Sequence, residues 1–112
     1  MASVFIALDP SKKINSCLQV LKGSHHLGRI EHGVNKGQVS ADMIRVKPAM
    51  KILELVDVEM DPGDALFFNS NVLHTSSKDD SNQTRNVLLS CYKRSDNAPY
   101  IDSLGYWASK CP

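Results

Sequence analysis

The sequence predicts a mainly all-β domain with one short helix. Three observations carry that expectation. The apolar residues fall in short runs of four to six, such as Ala65–Phe68 and Val87–Tyr92, too short for helices and rich in β-branched and aromatic types. Turn formers close or join those runs: Asp9-Pro10, Gly23, and above all Asp61-Pro62-Gly63-Asp64. One stretch, Ala41 to Leu53, instead spaces its apolar residues at three- and four-residue steps, the period of a helix.

Taken in order, Ser3 to Leu8 is a β-prone strand closed by Asp9-Pro10, because proline cannot donate to a ladder. Ser11 to Asn15 is a polar turn, and Cys17 to Leu21 a second strand ending at Gly23. Gly23 to Gly28 is a loop carrying His25 and His26, and Arg29 to Ser40, with Gly33 and Gly37, reads as one long loop. The helical stretch is interrupted or started at Pro48, and its stripe of Met43, Val46, Met50 and Leu53 is expected to pack outside the sheet. Leu55 to Met60 is a strand whose Asp57 and Glu59 share one face as solvated charges. In the turn that follows, Pro62 presets φ and Gly63 supplies a positive-φ position. Ala65 to Phe68 is then a buried strand delivering His74, Lys78 to Thr84 is a polar hairpin tip with surface carboxylates, and Val87 to Tyr92 is the return strand. This antiparallel pair would place His74 near the end of one strand and Arg85 near the start of the next. After Tyr92 the chain is polar and turn-rich, and Trp107 either docks on the core or belongs to a partly ordered terminus.

Composition excludes several function classes. At 112 residues this is one small domain at most, and 42% hydrophobic with 22% charged residues describes an ordinary soluble globular chain. A net charge of +1 and a pI near 7.7 give no reason to expect nucleic acid or a membrane surface as partner. No apolar run approaches the roughly 20 residues of a membrane span. The start, MASVFIALDPSKK, lacks the basic region of a signal peptide, so a cytoplasmic location is expected. Cys17, Cys91 and Cys111 form no CxxC or Cys-His pattern, which argues against structural zinc and for free buried thiols in a reducing compartment. Asn82-Gln83-Thr84 fits a glycosylation sequon, read here as chance without an export signal.

The pairing of His74 with Arg85 suits one chemistry in particular. Neighbouring strands lie about 4.8 Å apart, so an imidazole and a guanidinium on facing positions can share a small ligand. A neutral imidazole binds Fe(II), and a planar guanidinium grips a carboxylate through two parallel hydrogen bonds. A dicarboxylate chelating iron at one end would meet the arginine at the other. Spacing alone does not establish this, since a lone histidine at a strand end is more often a packed or surface residue. His26 and His32 read as solvated loop residues.

The run GDALFFNSNVLHTS, the arginine beyond it and the upstream GSHHLG resemble the phytanoyl-CoA dioxygenase family, which includes the ectoine hydroxylases. The resemblance runs from about Val4 to Pro99. It implies a partial double-stranded β-helix, a cupin-like jelly roll, over residues 1–99, followed by a tail over 100–112. It also implies a non-haem Fe(II) and 2-oxoglutarate-dependent oxygenase hydroxylating a small-molecule or acyl-CoA-type substrate. By the same resemblance His74 is a metal ligand, and Arg85, eleven residues further on, binds 2-oxoglutarate together with Ser76. His25, in the GSH loop, would either shape the substrate pocket or hydrogen-bond locally as an ordinary loop residue. Asn69 stands where many relatives carry a histidine, a change of local detail beside the metal ligand.

One departure from that pattern bears on function. Mononuclear iron of this type takes two histidines and one carboxylate on one face of the metal. The family draws the first histidine and the carboxylate from an H-x-D motif, and none of His25, His26, His32 or His74 is followed two residues later by Asp or Glu. The expectation is a chain that starts just after that motif, a truncation or fragment inactive alone, whose first strand has lost a neighbour. The unpaired edge left behind would favour self-association. The alternative is a non-catalytic jelly-roll binding or interaction module that has lost the iron site. A two-chain site, with ligands donated by a partner, is a third possibility that no residue favours.

Overall fold

The computed structural model describes residues 1–35, 38–77 and 80–96. The tail over 100–112, Trp107, Cys111 and the first two residues of the polar hairpin tip, Lys78 and Asp79, therefore lie outside the described residues. What is described is a mainly β fold of antiparallel sheets with one short helix, a partial jelly roll. The strands are β1 (Ala2–Ala7), β2 (Leu18–Leu21), β3 (His32–Asn35), β4 (Gln38–Ala41), β5 (Leu55–Val58), β6 (Ala65–Asn69), β7 (His74–Thr75) and β8 (Val87–Tyr92), and the helix is α1 (Met43–Ile52).

Two three-stranded sheets are built around the first two strands: β1 lies between β6 and β8, and β2 between β5 and β7. The expected hairpin of the β6 and β8 runs is therefore corrected. Val4 pairs with Phe67 on one side and Ser90 on the other, so β1 separates them. The expectation of an unpaired edge at the first strand fails for the same reason, since β1 is the most enclosed strand of its sheet. The physical cause is side-chain content. Ser3, Val4, Phe5 and Ala7 are all buried, and a strand apolar on both faces is stable only with a neighbour at each edge.

The core sits between the two sheets. Phe5 and Ala7 of β1 meet Leu18 of β2 and Met60, with Val20, Val58, Leu66, Phe68 and Val87 packed around them. Each fully buried Phe or Leu of this group contributes about 2 kcal/mol. The connection between strands is pinned by a polar knot. Asn15, 1% exposed, donates from Nδ2 to the Pro10 carbonyl at 2.7 Å and accepts from the Lys12 N–H at 2.7 Å. Ser11 and Met60 exchange backbone hydrogen bonds at 2.9 and 2.8 Å, tying this turn to the end of β5. The Asp61–Asp64 turn is as expected: Gly63 has φ +90°, and the Asp64 N–H donates to the Asp61 carbonyl at 3.0 Å.

The segment between β2 and β5 departs most from expectation. Part of the predicted long loop is a β-hairpin, with Val34 opposite Val39 and Asn35 opposite Gln38. His32 accordingly stands in a strand rather than a loop, still exposed, with Nδ1 3.0 Å from the Ile30 carbonyl. Helix α1 starts at Asp42, whose carboxylate accepts from the Ile44 N–H, and runs through Pro48 without interruption. Its apolar stripe packs only in part: Val46 and Leu53 are half-buried, whereas Met43 and Met50 are exposed.

Candidate active site

Strand β2 positions the candidate residues, because the side chains of a strand alternate between faces. Leu18 and Val20 point toward the core, and Val20 is the register partner of His74 on β7, so His74 shares their face. Gln19 pairs with Thr75 and Asp57, which puts those three on the opposite face.

His74 is exposed at the outer strand of its sheet. Its Nδ1 lies 2.8 Å from the Val72 carbonyl, and the Phe68 ring sits edge-on to it with centroids 5.1 Å apart. A carbonyl oxygen only accepts, so Nδ1 carries the proton and the lone pair of the neutral ring is on Nε2. This is the second contact by which proteins orient a metal-binding imidazole. Ser76 follows just past the strand, exposed, and its hydroxyl has no hydrogen-bond partner among the described residues.

Arg85 stands in the segment leading into β8, in the other sheet, and is half-buried. Among the described residues its guanidinium makes no hydrogen bond or ion pair, yet its charge reaches the Cys17 thiol. Cys17 and Val20 are separated by three residues of nearly extended chain, roughly 10 Å. Arg85 precedes β8 in one sheet while His74 lies on β7 in the other, and among the described residues no hydrogen bond joins them.

Next to His74 a cleft of about 350 Å³ opens between the sheets, with Val20, Leu66, Phe68 and Val72 as apolar walls. His25 lines it from the Gly23–Gly28 loop, whose two glycines hold φ of +81° and +76° around a 3-10 turn. The His25 Nδ1 is buried with no hydrogen-bond partner. Lys22 lines the same cleft, and sequence reasoning missed it. The available signal was its position directly before the GSH loop. Sequence reasoning also missed the packing of Phe68 on His74, foreshadowed only by their being six residues apart around a turn.

On the opposite face lies a polar pocket of about 280 Å³ around Cys17, Gln19 and Asp57. Gln19 Nε2 donates to Asp57 at 2.8 Å, and Lys13 Nζ is 3.4 Å from the same carboxylate. The Gln19 hydrogen bond leads in holding the Asp57 pKa below its ordinary value; burial opposes it, and Lys13 adds to the lowering. Glu59 accepts from the Lys13 N–H at 3.0 Å. The two carboxylates expected as merely solvated therefore hold the turn before β2 in place. Burial first, and then these carboxylates, push the Cys17 thiol up, while Arg85 and Lys13 act the other way. Cys91, by contrast, is exposed, so the expectation of buried thiols holds for Cys17 alone among the described cysteines.

Among the described residues no three His, Cys, Asp or Glu side chains converge on a point that could hold a metal ion. His74 fits one ligand position of an iron centre, but the described residues do not by themselves fit the whole centre.

Residues 1–87 match the Phytanoyl-CoA dioxygenase (PhyH) family. The chain belongs to the phytanoyl-CoA dioxygenase family. Among its relatives are L-proline trans-4-hydroxylase of Streptomyces griseoviridis, 29% identical over 87% of this chain and 42% of that protein, and Dioxygenase lolE1 of Epichloe uncinata, 28% identical over 80% and 32%. A Phytanoyl-CoA dioxygenase of Arabidopsis thaliana is 23% identical over 97% of this chain and 38% of its own length. The chain thus spans between about a third and two fifths of the length of these phytanoyl-CoA dioxygenase relatives. Among the described residues no helix is long and apolar enough to cross a membrane.

Proposed function

We propose that this chain forms the co-substrate-binding part of a non-haem Fe(II)/2-oxoglutarate hydroxylase acting on a small-molecule or acyl-CoA-type substrate. The observation that carries the reading is His74: its Nδ1 is committed to the Val72 carbonyl, and its ring is exposed on the core-facing side of β2. An imidazole held in that way offers Nε2 to one cation. Arg85, eleven residues on and unpartnered among the described residues, would take the distal carboxylate of 2-oxoglutarate, with the Ser76 hydroxyl as a second donor. Bound iron and 2-oxoglutarate together supply oxygen activation and hydroxylation of an unactivated C–H bond. The sequence contains no H-x-D motif to supply the second histidine and the carboxylate, so on this reading the 112-residue chain alone is inactive.

The test is an anaerobic titration with Fe(II) and 2-oxoglutarate, following the visible charge-transfer band, on this chain and on a longer one that includes an upstream H-x-D motif. The longer chain should develop the band, and His74→Ala and Arg85→Ala should each abolish it. A band indifferent to both substitutions would sink the reading.

The lack of an H-x-D motif supports a second reading, a jelly-roll binding module without catalysis. Tight stoichiometric Fe(II) binding by this chain alone would argue against that. Both readings leave β8 at the end of its sheet, and its run VLLSCY holds no charge or proline to discourage pairing. Self-association through that edge follows, and sedimentation velocity across a concentration series tests it.

A further inference from the structure

We infer that the cleft beside His74 selects substrates with a small apolar body and a single carboxylate, and that Lys22 and His25 receive the carboxylate. The inference rests on the oxygenase reading only for calling the occupant a substrate. The cleft itself needs no metal.

The walls set the body of the ligand. Val20, Leu66, Phe67, Phe68 and Val72 offer hydrocarbon and two aromatic rings, Asn69 spends its Oδ1 on the Asn71 N–H, and about 350 Å³ suits a small molecule rather than a peptide. Phe68 also touches the His74 ring, so a ligand against that wall lies next to the candidate iron ligand.

The polar groups set the charge. Lys22 lines the cleft, no Asp or Glu does, and among the described residues the Lys22 ammonium has no ion pair. Its backbone is fixed by an N–H donated to the Glu54 carbonyl at 2.8 Å, so the side chain starts from a defined place. The buried, unpartnered His25 Nδ1 is the second observation. A ring nitrogen left in this way is costly, and neither nitrogen of the His25 ring has a hydrogen-bond partner among the described residues. An apolar cleft with one unpaired cation and one uncommitted imidazole attracts a monoanion, and a carboxylate can accept from both.

2-Oxoglutarate is itself a carboxylate, so the source must be separated from the chemistry. The probe is cyclohexanecarboxylate against its uncharged amide, titrated into the metal-free 112-residue chain and followed by NMR chemical-shift changes at Val20, Leu66 and Val72. The acid should bind about tenfold more tightly than the amide, a difference of about 1.4 kcal/mol. Lys22→Met and His25→Phe should each weaken the acid about fivefold and leave the amide unchanged, as expected for one charged hydrogen bond partly screened by water. Arg85→Ala should have no effect on the acid. Equal binding of acid and amide overturns the inference, and so does a loss confined to Arg85→Ala, which would place the acid in the co-substrate position. Because the probe needs no iron, binding here with no charge-transfer band in the longer chain would sink the oxygenase reading and leave the cleft standing. A band with no preference for the acid would do the reverse.

Discussion

Two regions of this small fold carry most of its polar side chains, and they treat them in opposite ways. In the turn before β2 and on the outer face of that strand, polar groups are matched to one another: Asn15 to Pro10 and Lys12, Gln19 and Lys13 to Asp57, Ser77 to Ser16. In the candidate site they are not: Lys22 and His25, which line the cleft, and Ser76 and Arg85, which do not, have no side-chain hydrogen bond or ion pair among the described residues. His74 spends one ring nitrogen on the backbone and keeps the other. Satisfied groups hold a fold together, whereas donors left over in a candidate site are available to a ligand.

The comparison breaks first where the matched region is cut. Asn15→Ala strips two hydrogen bonds from a fully buried site and leaves the Pro10 carbonyl and the Lys12 N–H unmet, an expected loss of about 3 kcal/mol in urea denaturation. In a domain this small that is a large share of total stability. Lys22→Met and Arg85→Ala, taken from the unmatched region, should each stay within about 0.5 kcal/mol of the parent. A loss from Arg85→Ala as large as that from Asn15→Ala would mean that the arginine is structural.

Thiol chemistry sharpens the same contrast at smaller scale. Cys17 is 2% exposed, and burial with nearby carboxylates keeps it protonated, whereas Cys91 is exposed. A disulfide reagent at neutral pH should modify Cys91 at least about a hundredfold faster than Cys17, with peptide mapping to separate them. Comparable rates would mean that the turn before β2 opens freely, contrary to its network of hydrogen bonds.

Much of this was legible in the sequence. The strands from Ser3, Cys17, Leu55, Ala65 and Val87 and the type of turn at Pro62-Gly63 follow from local rules of alternation and turn chemistry. Pairing was not legible, because it is set by distant burial: nothing near Ala65 or Val87 says that β1 comes between them. The β3–β4 hairpin was hidden because its two glycines read as loop signals, although Val34 and Val39 flank a polar, glycine-containing turn sequence. At the site, His74, Ser76 and Arg85 were expected from the resemblance of their motif to a family pattern. Lys22 was not, since a lysine acquires meaning only from the unpaired cleft it lines.

The smallest effect is the pH dependence of the matched face. Asp57 has its pKa lowered from an ordinary 3.8, chiefly by the Gln19 hydrogen bond and then by Lys13. A group depressed in the folded state contributes stability that is fully present above its unfolded value and lost as pH falls through the folded one. The difference in urea midpoint between the parent and Asp57→Asn should therefore be flat from neutral pH to about pH 5 and shrink as the medium is acidified below 3.8. Both partners are accessible to water, so 1 M salt should reduce the Lys13 share and leave the Gln19 share. The opposite sign holds for Lys12, raised above 10.5 chiefly by its hydrogen bond to Asp61: its contribution persists through neutral pH and fades only as pH rises through the folded value. Asp57→Asn should not alter binding of the carboxylate probe. If Asp57→Asn did change it, the two faces of β2 would be electrostatically coupled, and the division of roles between them would have to be redrawn.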